Sequence, residues 1–163
     1  MSLATLSTLS GAARRRRAPR SDPQPSQQVR KLNVLLVDDD PADSSLILSV
    51  LVRHPNVAST QAVDSPVYAL RQLAAGYRKP DLVLLDIHML RIDGLEFLKG
   101  LRRIAGMTSV PVVFLTTSGM GKDILENMGG SAPLHVIKPD TLAELKVRLD
   151  GVVERAISGV WSR

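Results

Sequence analysis

The chain has 163 residues, 44% of them hydrophobic, no cysteine and a formal net charge of +5. It is long enough for one domain with a real core. The missing cysteine excludes disulfides, thiolate metal sites and cysteine nucleophiles, and no apolar run approaches the roughly 20 residues needed to span a bilayer.

The charge is unevenly placed. Residues 1–31 hold seven Lys/Arg against one Asp, whereas residues 32–163 hold fourteen against fifteen Asp/Glu. A nucleic-acid surface built into the folded part is therefore disfavoured. The first segment runs Arg14–Arg17 in a row, then Pro19, Pro23 and Pro25. Such a composition cannot bury enough apolar surface to offset its ordering entropy, so residues 1–31 are predicted to be a disordered basic leader. The Arg run suits nucleic acid or acidic lipid, and the Arg- and Ser-rich make-up superficially fits an organelle transit peptide. A plain or partner-binding leader is the simpler reading. A secretory signal is disfavoured because the basic run follows the mildly apolar stretch, and the expected location is the cytoplasm.

Leu32–Asp40 reads LNVLLVDDD. Val34–Val37 fits a strand buried on both faces, and the three carboxylates must lie where it leaves the sheet. Asp40 then suits a helix N-cap with Pro41 at the first helical position, and Asp43 suits the helix dipole. Leu46, Ile47, Val50 and Leu51 mark a helix face running to His54–Pro55, with His54 expected at the surface. Val57–Val63 reads as a short strand. Ser65–Pro66 opens a second helix that runs to Gly76. Asp81–Asp86 repeats the opening theme, an apolar strand ending on a carboxylate. A loop leads to Asp93–Gly94 and a helix carrying Leu95, Leu98, Leu101, Arg102 and Ala105. Val110–Leu115 is a further strand ending on Thr116 and Thr117. The glycine-rich stretch after it allows only a short helix, residues 122–128. Leu134–Ile137 is the last strand, ending at Lys138–Pro139. Thr141–Ile157 is the last helix, stopped by Gly159, with Val160 and Trp161 packing at its end. Five strands alternating with five helices imply a parallel sheet covered on both faces.

In such a sheet ligands sit outside the carboxyl ends of the strands. Four of the five strands place a polar group there: Asp38 and Asp39, Asp86, Thr116 and Lys138. Clustered carboxylates without cysteine suit a hard cation such as Mg2+. A lysine suits a phosphoryl oxygen, and an Asp can serve as nucleophile. Together these describe a site for phosphoryl transfer onto a carboxylate.

The segments VLLVDDDPAD, LVLLDIHMLRIDG, VPVVFLTTSG and HVIKP, in this order and at these intervals, resemble the receiver domain of two-component response regulators, the flavodoxin-like family typified by the chemotaxis response regulator. The resemblance covers about residues 32–158, within a receiver unit set at residues 32–160. It implies an α/β three-layer (βα)5 fold with a parallel sheet in the order 2-1-3-4-5. By the same resemblance Asp86 is the phospho-accepting aspartate, Asp39 a direct Mg2+ ligand, and Asp38 a ligand acting through water. His88 offers only its backbone carbonyl to the metal. Thr116 corresponds to the switch hydroxyl, Lys138 to the lysine that pairs with the phosphoryl group, and His135 to the switch aromatic, often Tyr or Phe. Leu90 departs from the proline usual in the family, and residues 119–133 lack the common Gly-Ala-Asp turn.

The resemblance implies a single-domain phosphorylation switch fed by a histidine kinase or histidine phosphotransfer protein. Its output would be protein contact, homodimerisation included, with no DNA-binding unit of its own. Two other readings compete. One is a receiver-like binding module independent of phosphorylation. The other is a Mg2+-dependent phosphatase of the haloacid-dehalogenase type, suggested by Asp38-x-Asp40 but opposed by Ala42 and by the absence of a second acidic pair after Lys138.

Overall fold

A computed structural model of the chain describes residues 30–89, 93–117 and 134–161. Nearly all of the predicted leader, Leu90 and the short helix expected at residues 122–128 lie outside these described residues. The elements are β1 (Leu32–Val37), α1 (Pro41–Leu51), β2 (Val57–Val63), α2 (Pro66–Ala74), β3 (Leu82–Asp86), α3 (Gly94–Arg103), β4 (Val112–Thr116), β5 (Leu134–Ile137) and α4 (Leu142–Ser158). The five strands form one parallel sheet in the order β2-β1-β3-β4-β5.

The central strands are apolar because both of their faces are covered. Leu82, Val83, Leu84 and Leu85 of β3 have no measurable exposure, and each such side chain contributes roughly 1.5–3 kcal/mol relative to remaining in water. Leu35, Val37, Val83, Leu85 and Phe114 pack on one side with α2 and α3, around Leu73, Phe97 and Leu101. Val34, Leu36, Leu82, Leu84 and Leu115 pack on the other with α1 and α4, around Ile47, Leu51, Leu149 and Val153. Trp161 joins the second cluster, whereas Val160 is 60% exposed and does not pack as expected.

The helix starts follow from local chemistry. The Asp40 carboxylate accepts from the N–H groups of Ala42 (2.8 Å) and Asp43 (3.2 Å), with Pro41 at the first position. Ser65, Asp93 and Thr141 cap α2, α3 and α4 in the same way. Gly159 ends α4 in the left-handed region, at φ 68°.

The first helix stops short of the expected His54–Pro55. Its regular part ends at Leu51, and the His54 N–H folds back onto the Leu51 carbonyl at 3.0 Å. The residue before a proline is disfavoured in helical geometry. His54 is also not a surface residue. Its side chain is 9% exposed, its Nδ1 accepts from the Asn56 N–H at 3.1 Å, and its Nε2 lies 3.7 Å from Asp150 on α4.

Candidate functional site

The strand ends converge because the strands are parallel and in register. Val37 pairs with Leu85, Asp86 with Leu115, and Thr116 with Ile137. The next residue along β1 is Asp38 and the next along β5 is Lys138, so carboxylates and ammonium meet over one edge of the sheet. The Lys138 N–H, continuing the ladder, donates to the Thr116 carbonyl at 2.7 Å.

The Lys138 ammonium bridges three carboxylates. Its Nζ lies 2.7 Å from Asp43 Oδ2, 2.9 Å from Asp38 Oδ2 and 3.2 Å from Asp86 Oδ2. An ammonium has three donors, and here all three are used. The second oxygen of Asp38 accepts from the Asp40 N–H at 2.9 Å, and the second oxygen of Asp86 from the His88 N–H at 3.1 Å. Both carboxylates are thus buried but supplied with donors, as a buried charge requires. Thr116 is fully buried beside them.

Asp38, Asp39 and Asp86 each present a carboxylate oxygen, and these oxygens lie within 4.8 Å of one another. No nitrogen or sulfur donor belongs to that group. An all-oxygen anionic set of this size fits a hard divalent cation such as Mg2+.

The electrostatics follow from crowding several acids around one base. Burial lifts the Asp38 carboxyl above the ordinary range, against the pull of Lys138 and the Asp40 N–H. For Lys138 burial alone would lower the ammonium's pKa. The hydrogen bonds to Asp43 and Asp38, with the charge of Asp86, outweigh burial and hold it above the usual lysine value. Lys138 is therefore a permanent cation at neutral pH.

Of the residues expected from the sequence, Asp38, Asp39, Asp86, Thr116 and Lys138 come together. His88 contributes its backbone N–H and keeps its side chain exposed. His135 pairs in register with Phe114, is partly buried, and lines a groove between β5 and α4 with Val147 and Arg148. Among the described residues no hydrogen bond or ion pair joins it to Asp86 or Lys138.

Two participants were not anticipated. Asp43 touches Lys138 instead of serving only the helix dipole. An acidic residue at the third helical position commonly reaches back to the N-cap N–H. Here Asp38 already holds the Asp40 N–H, and the Asp43 carboxylate faces the ammonium. The signal available in the sequence was the five-residue step from Asp38 into the first helical turn. Gly94 is the second. A Cβ there would lie 2.8 Å from both the Asp86 carbonyl oxygen and Phe114 Cε1, so α3 can start this close to Asp86 only at a glycine.

A family model described as the response regulator receiver domain matches residues 34–150. Among curated proteins, the DNA-binding dual master transcriptional regulator RpaA of Synechocystis sp. is 30% identical over 122 residues, which cover 75% of this chain and 49% of that protein. The chain spans about half or less of the length of the first curated relatives it matches. Among solved structures, the phosphorylated cyanobacterial phytochrome response regulator RcpA superposes with a TM-score of 0.68 at 28% identity, covering 80% of this chain and 97% of that one. The Mn(2+)-bound form of response regulator Rcp1 superposes with a TM-score of 0.66 at 26% identity, covering 81% and 99%.

Proposed function

Because the chain belongs to the response regulator receiver domain family of two-component signalling, we propose that it is a phospho-accepting switch whose acceptor is Asp86. The carrying observation is the setting of that carboxylate. It is buried at the end of β3, with Lys138 Nζ on one oxygen and the His88 N–H on the other. Residues 32–160 form the receiver unit in this reading, and residues 1–31 a basic leader.

Asp39 and Asp86 would hold Mg2+ directly, Asp38 would support it through water, and His88 would offer its backbone carbonyl. A cation held there would offset the charge that phosphoryl oxygens bring to an already acidic pocket. The clustering of the three carboxylates supports this assignment, as does the metal described for the Mn(2+)-bound relative.

The donor is a phosphohistidine on a histidine kinase or phosphotransfer protein. An Asp86 oxygen attacks phosphorus, the P–O bond forms as the P–N bond breaks, and the imidazole nitrogen keeps the electron pair. Lys138 gives up its hydrogen bond to the Asp86 oxygen and donates to a phosphoryl oxygen. The Thr116 hydroxyl donates to another, and His135 follows as the switch residue on β5. This biases the face formed by β5 and α4 between two packings, and a downstream protein or a second copy of the chain reads the outcome.

The test is beryllofluoride titration followed by amide chemical shifts, with and without Mg2+. The parent should bind the phosphoryl mimic only with Mg2+, and Asp86→Asn should not bind it. Equal binding by Asp86→Asn would remove Asp86 as the acceptor.

A further inference from the structure

Lys138 is not centred on its three partners. It stands 2.7 Å from Asp43 and 2.9 Å from Asp38, but 3.2 Å from Asp86. Its side chain is 9% exposed, while that of Asp43 is 34% exposed. One half-open carboxylate on the first turn of α1 therefore draws a buried ammonium towards the β1–α1 side of the pocket. Asp43 is free to do so because the N-cap N–H it could otherwise serve is held by Asp38.

We infer that Asp43 is a positioning residue that competes with the phosphoryl group for Lys138 and so limits how tightly the site retains it. The inference rests on Asp86 being the acceptor. All three ammonium donors are occupied before phosphorylation. When Asp86 carries a phosphoryl group, one donor moves from the Asp86 oxygen to a phosphoryl oxygen, and Asp43 keeps another. Removing the Asp43 charge releases that second donor for the phosphoryl group and removes a nearby repulsion towards an incoming anion. The same loss of charge weakens the pull of the pocket on a divalent cation. The two affinities therefore move in opposite directions, whereas damage to the fold would weaken both.

The experiment compares Asp43→Asn and Asp43→Glu with the parent, using Mg2+ alone and then beryllofluoride at saturating Mg2+. For Asp43→Asn, beryllofluoride should bind roughly three- to tenfold more tightly, the scale of one charge-assisted hydrogen bond exchanged. Mg2+ should bind about two- to threefold more weakly, as expected for one opposite charge lost nearby. Asp43→Glu keeps the charge on a longer arm and should stay within about twofold of the parent in both titrations. Unchanged or weaker beryllofluoride binding by Asp43→Asn, with the parent binding normally, overturns the role of Asp43 alone. If the parent itself fails to bind, or Asp86→Asn binds equally, the acceptor assignment fails and the inference falls with it.

Discussion

Replacing Lys138 with Met should destabilise the protein severely, and the structure sets the scale. Lys138 is the one cation within hydrogen-bond reach of Asp38 and Asp86 among the described residues, and the side chains of those acids are 0% and 8% exposed. Removing one partner of a buried pair leaves an uncompensated charge and costs about 3–5 kcal/mol. Asp43 adds little to that sum, because a carboxylate 34% exposed is solvated when its partner leaves. The stranded acids can also escape by binding protons, which limits the loss to the lower end, about 3 kcal/mol. For a domain of this size that corresponds to a fall in Tm of roughly 6–12 °C. Urea unfolding at neutral pH without divalent cations measures the loss directly. The double variant Lys138→Met/Asp38→Asn should recover about half of it or more, since the most deeply buried charge is then gone. A loss below about 1 kcal/mol, or a double variant no more stable than Lys138→Met, would refute the claim that Lys138 neutralises this pocket.

Asp38→Asn alone should stabilise the metal-free protein, because burial raises the Asp38 carboxyl and its ionised form is a cost to folding. The sign follows from that raised value. The folded state binds this proton more tightly than the unfolded chain, so the parent gains stability as pH falls towards the ordinary carboxylate value, and Asp38→Asn should lack that gain. Asp81 behaves oppositely. Burial pushes its carboxyl up, but the Asn33 N–H, the Asn33 amide and Arg30 outweigh burial and hold it low. Asp81→Asn should therefore cost roughly 1.5–3 kcal/mol at neutral pH. That difference should persist above about pH 4 and close below it, as both forms become neutral; a gap unchanged at pH 2 in urea titrations would contradict the assignment. Gly94→Ala should cost about 1–3 kcal/mol and weaken beryllofluoride binding, because the new methyl group presses on the Asp86 carbonyl. Full-strength binding by a destabilised Gly94→Ala would mean that the Asp86 peptide tolerates the shift.

The buried strands were legible because their apolar runs end abruptly on polar residues, and two caps because Asp40 and Ser65 each stand just before a proline; Thr141, read as the first residue of the last helix, is its cap. Boundaries failed where the backbone had other partners. The fourth strand was expected to start at Val110 and starts at Val112. The Val110 N–H donates to the Met107 carbonyl, its own carbonyl accepts from Arg102 Nη1 at 2.7 Å, and Pro111 has no N–H to offer. Neither residue has a full set of backbone groups left for the ladder. The side-chain pattern carries no trace of that competition, since Val110 is as apolar and as buried as a strand residue.

The site was legible by a different route. Strand-end position fixes where Asp38, Asp86, Thr116 and Lys138 lie, because in-register parallel strands deliver their carboxyl ends to one edge. Asp43 and His54 escaped because each stands at an end of α1, where the facing of a side chain is decided by neighbouring contacts that the sequence pattern does not display. Asp43 meets Lys138 while Asp38 holds the N-cap N–H, and His54, beyond the end of α1, meets Asp150. The charge balance of the pocket follows from this. Counting strand ends alone sets one lysine against three aspartates, Asp38, Asp39 and Asp86. With Asp43 added, one lysine faces four acids among the described residues. In the proposed switch that acidic majority would favour a divalent cation and oppose an incoming phosphoryl group, and the half-open carboxylate on α1 would shift the balance between the two.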